Sequence, residues 1–199
     1  MLDRREFLVG IASLIAVPLA VEAPSVGKVW REDGLIMSAL TPVMARLETQ
    51  LEALSAILAR ATPNTIDQRP SSGDWSAREN LAHLARHHAV FLDRLERLLA
   101  EDRPQLGRYR AEDDLKWPEW SRLPLDEIVE RLRSLRRRLV ERVGSLTPAQ
   151  VARTALHPTF GEMGLPEWLD FFLLHEAHHL YTAMIRIGEA WLHQDPSSL

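Results

Sequence analysis

After about residue 40, apolar residues recur at spacings of three and four along almost the whole chain. This pattern limits the fold more than any other feature, because it builds one apolar stripe on a helix and none on a strand. The first run is Val43, Leu47, Leu51, Leu54 and Leu58. Thr41-Pro42 before it reads as an N-cap and a first-turn proline, with room for a helical lead-in from Asp33. The polar stretch "TPNTIDQRPSSGD" ends this helix. A second helix starts at "WSAREN", where Ser76 and Glu79 form a capping box, and runs to about Ala100. A third spans about Pro124 to Leu146, with Ile128, Leu132, Leu135, Leu139 and Val143 on one stripe. A fourth spans about Pro166 to Ile187.

Between these runs, "TPAQVART" reads as a short capped turn of helix and "HPTFGEMGLP" as a loop. Residues 101–123 have no periodicity and read as a long surface connection, of the kind that crosses over a bundle or carries function. The expectation is an all-α, four-helix bundle with a long crossover connection, no strand, and one domain over residues 33–190.

Charge and cysteine content remove several function classes. The formal net charge is -4, which argues against nucleic acid as a partner, since phosphate binding wants a basic surface. The basic run "RSLRRRLVER" is then read as a solvated helix face with Glu127, Glu130 and Glu141 as neighbours. With no cysteine there is no disulfide, thiolate ligand or cysteine nucleophile. Any metal must be held by His, Asp or Glu.

The chain opens "MLDRREFLVGIASLIAVPLAVEAPS", with Arg4-Arg5 ahead of an apolar stretch from Phe7 to Ala20. Fourteen residues are short for a membrane span, which needs ~20. A basic start, a short apolar middle and small residues at the end read as a signal peptide over residues 1–23, cleaved after Ala20 or Ala23, with an uncleaved anchor or an amphipathic first helix as the alternatives. "RREFLVG" resembles the twin-arginine signal. That resemblance implies the twin-arginine export machinery as a partner and a periplasmic or extracellular mature protein.

The fourth helix holds "LLHEAHHLYTAM", with three histidines in an apolar run. A core position prefers leucine, so each imidazole needs a reason. His175 and His179 are four apart and share a face, a familiar two-ligand unit. His178 points about 60° away from His175. Glu176 lies about 100° from His175 and reads as a solvated carboxylate, with a supporting role to the metal as the alternative. On the second helix, Glu79, His83 and His87 share one face, and spacing alone does not separate the two histidines as a third ligand. Three neutral imidazoles suit Zn, Ni or Fe, and leave a coordination position open.

Together, "WSARENLAHL", "FLDRLERLLAEDRP" and "HPTFGEMGLPEWLDFFLLHEAHHL" resemble the DinB/YfiT-like metalloenzyme superfamily, closest to its DinB-like domains. The resemblance covers about Leu40 to Ile187. It implies a four-helix bundle with a crossover and a divalent metal bound by one histidine of the second helix and two of the last. By motif position these are His83, His175 and His179. His88 stands where relatives often carry an acid, and Tyr181 near where they often show Gln.

The leading expectation is therefore an exported, metal-dependent hydrolase of a small-molecule substrate. Glu79 and His87 are its candidate catalytic bases, with helix capping and simple exposure as their structural alternatives. A thiol-transferase is a weaker enzymatic reading, because an oxidising envelope disfavours low-molecular-weight thiols. A non-catalytic metal- or ligand-binding envelope protein is another. A homodimer or partner scaffold is a third, with Trp117 and Trp120 as exposed anchors; packing over the bundle end explains them more simply.

Overall fold

The computed structural model describes residues 33–192. The signal peptide read in residues 1–23, and His193, lie outside them. The elements in order are α1 (Asp33–Thr49), a 3-10 turn (Gln50–Glu52), α2 (Ala53–Leu58), α3 (Pro63–Asp67), α4 (Ala77–Ala100), a second 3-10 turn (Ala111–Asp113), α5 (Trp117–Trp120), α6 (Leu125–Gly144), α7 (Pro148–Val151), β1 (Thr154–His157), β2 (Gly161–Gly164) and α8 (Leu165–Leu192).

The long helices form where the periodicity and caps place them. Ser76 and Glu79 close the capping box of α4, and Thr147 and Gln150 close that of α7. Each such N-cap stabilises its helix by about 1 kcal/mol. Three local expectations fail. Helix α1 runs straight through Thr41-Pro42, so that pair does not start it. Pro42 is exposed, so its missing N–H disturbs only the solvent side. Residues 63–67, expected as part of a loop, form a short helix with its own capping box between Thr62 and Thr65. Most of "HPTFGEMGLP" (residues 157–166), expected as a loop, forms with residues 154–156 ahead of it an antiparallel hairpin with Ala155 opposite Met163. Both of those side chains are buried, and Gly161 turns the chain at φ +74°.

Cross-helix contacts fix the topology. Helix α8 runs antiparallel to α4, since Phe172 meets Phe91 and His179 meets Asn80. It runs parallel to the first helical stretch, where Arg46 pairs with Asp170 and Trp191 donates to the Arg60 carbonyl. Helices α4 and α6 are parallel neighbours, because Arg136 meets His88 and Arg142 meets Glu96. Two parallel neighbours need a connection that returns the length of the bundle. Residues 101–124 are that crossover. They leave α4 at a bridge between Gln105 and Leu156, then run back along α4. Arg86 holds Asp114, and Arg78 donates to the carbonyls of Ser121 and Leu123.

The core has two apolar clusters. One gathers Leu47, Leu95, Leu139, Trp168 and Phe172, and the other Leu54, Leu81, Leu84, Ile128, Leu132 and Leu180. A polar layer separates them. The bundle supplies one residue from each wall: Gln50, His88 (α4), Arg136 (α6) and Glu176 (α8). Glu176 is 0% exposed, which overturns its reading as a solvated carboxylate. Arg136 is likewise buried, an exception to the solvated face read in "RSLRRRLVER".

Candidate metal centre

The cap at Ser76 sets the phase of α4, and that phase puts Asn80, His83 and His87 on the side facing α8. On α8, His175 and His179 stand one turn apart. The antiparallel pairing brings these groups together. His83 Nε2 and His175 Nε2 are 3.1 Å apart, and one nitrogen each from His83, His175 and His179 lie within 4.8 Å of one another.

Asn80 decides which nitrogen His179 offers. Its amide nitrogen donates to the carbonyls of Ser76 (2.8 Å) and Trp75 (3.3 Å). Those partners only accept, so the amide oxygen must face His179, whose Nδ1 is 2.9 Å away and must carry the proton. Nε2 of His179 is then the nitrogen with a lone pair to give. Burial, followed by the charge of neighbours including His83, pushes His175 well below the usual imidazole range, so it is neutral at neutral pH.

A divalent metal fits this donor set. Metal–nitrogen bonds of ~2.05 Å in a tetrahedron put two ligand nitrogens ~3.3 Å apart, close to the His83–His175 separation. Two neutral imidazole nitrogens at that distance share at most one proton between them, whereas a cation satisfies both lone pairs at once.

Aromatic rings wall the centre. Trp75 lies 4.9 Å from the His83 ring, and Tyr109 and Trp117 of the crossover lie 5.6 Å and 6.0 Å from it. Tyr109 donates to Asp114, and burial followed by that carboxylate raises its pKa. Trp117 also packs on Trp75, and Trp120 takes the guanidinium of Arg131 over its ring. Both tryptophans are half-buried against the bundle.

The two candidate bases part company. His87 is buried with its ring 3.9 Å from that of His175, and its Nδ1 has no hydrogen-bond partner among the described residues. Burial, followed by the charge of His175, pushes its pKa well down. Glu79 instead accepts from the Ser76 backbone N–H and from Arg69, and lines a cavity of about 760 Å³ at the end of the bundle. Burial would raise its pKa, but Arg69 and Ser76 hold it below the usual carboxylate range. His178 is exposed on the outer face of α8, with its ring 5.0 Å from that of His179.

Sequence reasoning missed the Gln50–His88–Arg136–Glu176 layer beside this centre. His88 Nδ1 faces the Leu84 carbonyl at 2.8 Å and so carries a proton, leaving Nε2 to accept from Arg136 at 3.1 Å. Arg136 also donates to Glu176 and to the Leu47 carbonyl, and Gln50 donates to Glu176 at 2.9 Å. Burial alone would raise the Glu176 pKa; the Arg136 guanidinium holds it down. One signal was available. Arg136 stands four residues after Leu132 on the apolar stripe of α6, where an arginine needs a buried acid.

A Bacillus mycoides protein named "Putative metal-dependent hydrolase" is 31% identical over 137 residues, 65% of this chain and 77% of that one. An Oceanobacillus iheyensis protein of the same description is 27% identical over 117 residues, 58% of this chain and 66% of that one. A Bacillus cereus relative is 31% identical over 109 residues, and the chain spans 61% of its length. Among solved structures, the fold matches YfiT from Bacillus subtilis, described as "a probable metal-dependent hydrolase with an unusual four-helix bundle topology". The TM-score is 0.55 at 24% identity, covering 79% of this chain and 85% of that one. The family model described as DinB superfamily matches residues 46–183, and the chain belongs to that superfamily.

Proposed function

We propose that this chain is an exported metal-dependent hydrolase of a small-molecule substrate, with a Zn, Ni or Fe ion held by His83, His175 and His179. The convergence of three imidazoles, two of them 3.1 Å apart through Nε2, carries the reading. The chemistry such an ion supplies is Lewis acidity and a water acidified towards neutral pH. The chain's own residues do the rest. Trp75, Tyr109 and Trp117 exclude bulk water and give a substrate apolar faces to lie against. Buried and neutral, His87 is placed to accept a proton beside His175. Glu79 serves the cap and Arg69, which leaves His87 the better base.

The test is metal analysis of protein from its native compartment, then a panel of hydrolase substrates with that metal. One ion per chain and turnover of an ester, amide or related bond support the proposal. A metal-free protein from cells grown with all three metals counts against it. The dense ring cover over His83 favours a second reading, a non-catalytic metal-binding protein of the envelope. One bound ion with no turnover across the panel would favour that reading.

Export rests on "RREFLVG" ahead of the short apolar stretch. Replacing Arg4 and Arg5 together by Lys should hold the protein inside the cell. Unchanged secretion of the double variant, or an intact Met1 on the envelope protein, would refute export by this route.

A further inference from the structure

The outer faces of α6 and α8 differ in kind. Every exposed position of α6 except Gly144 is charged, among them Glu127, Glu130, Arg133, Arg137, Arg138 and Glu141. From Leu174 to Leu192, no exposed position of α8 carries a charge. Leu174, Tyr181, Met184, Ile185, Trp191 and Leu192 form a continuous stripe ~27 Å long. Leu174 is 63% exposed, Tyr181 61% and Leu192 86%. A solvated helix face of this length normally carries several charges. The two charged residues nearby, Arg186 and Glu189, bond to each other, and Arg186 also reaches Asp74.

We propose that this stripe is the interface of a homodimer in which two copies of α8 pack antiparallel about a two-fold axis near residue 183. The register comes from the spacing. About residue 183, Leu174 falls opposite Leu192, Tyr181 opposite Ile185, and His178 opposite Gly188. Gly188 has open space where a side chain would stand, so the larger His178 ring faces a gap. The interface is isologous, so the same stripe serves both copies. Covering the six apolar side chains removes on the order of 600 Å² per protomer, and ~1,200 Å² per pair reaches the size of a stable interface. A lipid surface is the poorer occupant. Helices that lie on membranes flank their apolar face with Lys and Arg, and here Arg186, the cation that α8 itself carries between Leu174 and Leu192, is tied to Asp74 and Glu189.

Sedimentation velocity of the full chain tests this. The wild-type protein is expected to run at twice the mass of one chain. Tyr181→Glu with Ile185→Glu should run as a monomer, with unchanged helical circular dichroism and unchanged metal content. A monomeric wild-type protein overturns the proposal, whether or not it co-sediments with phosphatidylglycerol vesicles, and so does a double variant that stays dimeric. The chain has no cysteine, so an introduced one is the only thiol. Met184→Cys places two thiols ~3 Å apart along the helix axis, and mild oxidation should join them. Leu174→Cys places them ~27 Å apart and should stay unlinked. Covalent dimers from Leu174→Cys alone would overturn the antiparallel arrangement.

Discussion

Two buried polar clusters sit side by side in this bundle and are built from consecutive residues. His87 and His175 belong to the first, and His88 and Glu176, each one residue later, to the second. One residue turns a helix by 100°, which sends the first pair towards the crossover and the second towards the bundle axis. In the second cluster every charge meets a counter-charge or a hydrogen-bond partner within the chain. In the first, His83 and His175 present nitrogens to each other, and His179 pairs with Asn80. A layer satisfied by its own side chains specifies register, whereas converging lone pairs call for a cation from outside. Buried histidines alone would not distinguish the two; the partners do.

The largest expected effect of breaking this contrast is on stability and lies in the self-satisfied layer. Arg136→Leu strands the Glu176 carboxylate in the core, and such a loss costs about 3–5 kcal/mol. Chemical denaturation should show that loss. Adding Glu176→Leu and His88→Leu should recover most of it, because an apolar layer has no charge left to strand. If Arg136→Leu is neutral, the layer is not a closed unit.

Next comes Asn80→Leu, which removes the acceptor that sets the His179 tautomer. Lost supporting hydrogen bonds typically weaken metal binding about 10–100-fold. Competition with a chromophoric chelator would measure the change, and Asn80→Asp, which keeps the acceptor but loses the donor to the Ser76 and Trp75 carbonyls, should restore affinity in part. Equal affinity in all three proteins would show that Asn80 does not orient the ligand.

A smaller effect concerns the crossover that covers the first cluster but not the second. Burial would raise the Asp114 pKa; Arg86, the Lys116 backbone N–H and Tyr109 hold it below the usual carboxylate range. A carboxyl depressed on folding contributes stability that is present above its unfolded pKa and lost as pH falls through its folded value. Melting temperature should therefore drop more steeply below about pH 4 in the wild type than in Asp114→Asn. Parallel acid limbs would mean that this pin does not hold the crossover.

Much of this architecture is legible in the sequence because its causes are local. Ser76 with Glu79 and Thr147 with Gln150 announce helix starts within four residues, and the Ile128–Val143 stripe fixes the inner face of α6. The spacing of four between His175 and His179 places both on one face before any partner is known. The choice of His83 over His87 needed the family motif, since both share the face of α4. Glu176 was misread because its partners, Gln50 and Arg136, lie 126 and 40 residues away. The hairpin was missed because its two strands are four residues each, too short for alternation to show. Thr41-Pro42 misled because a local start signal was overridden where α1 packs on α6 and α8.

The central claim is that His83, His175 and His179 hold the metal while the other histidines of these two helices do not. Metal content per chain, measured by mass spectrometry after identical loading of the wild type, His83→Ala and His178→Ala, tests it most directly. The account predicts one ion per chain in the wild type and in His178→Ala, and none in folded His83→Ala. Retention of the ion by His83→Ala together with its loss from His178→Ala would contradict it.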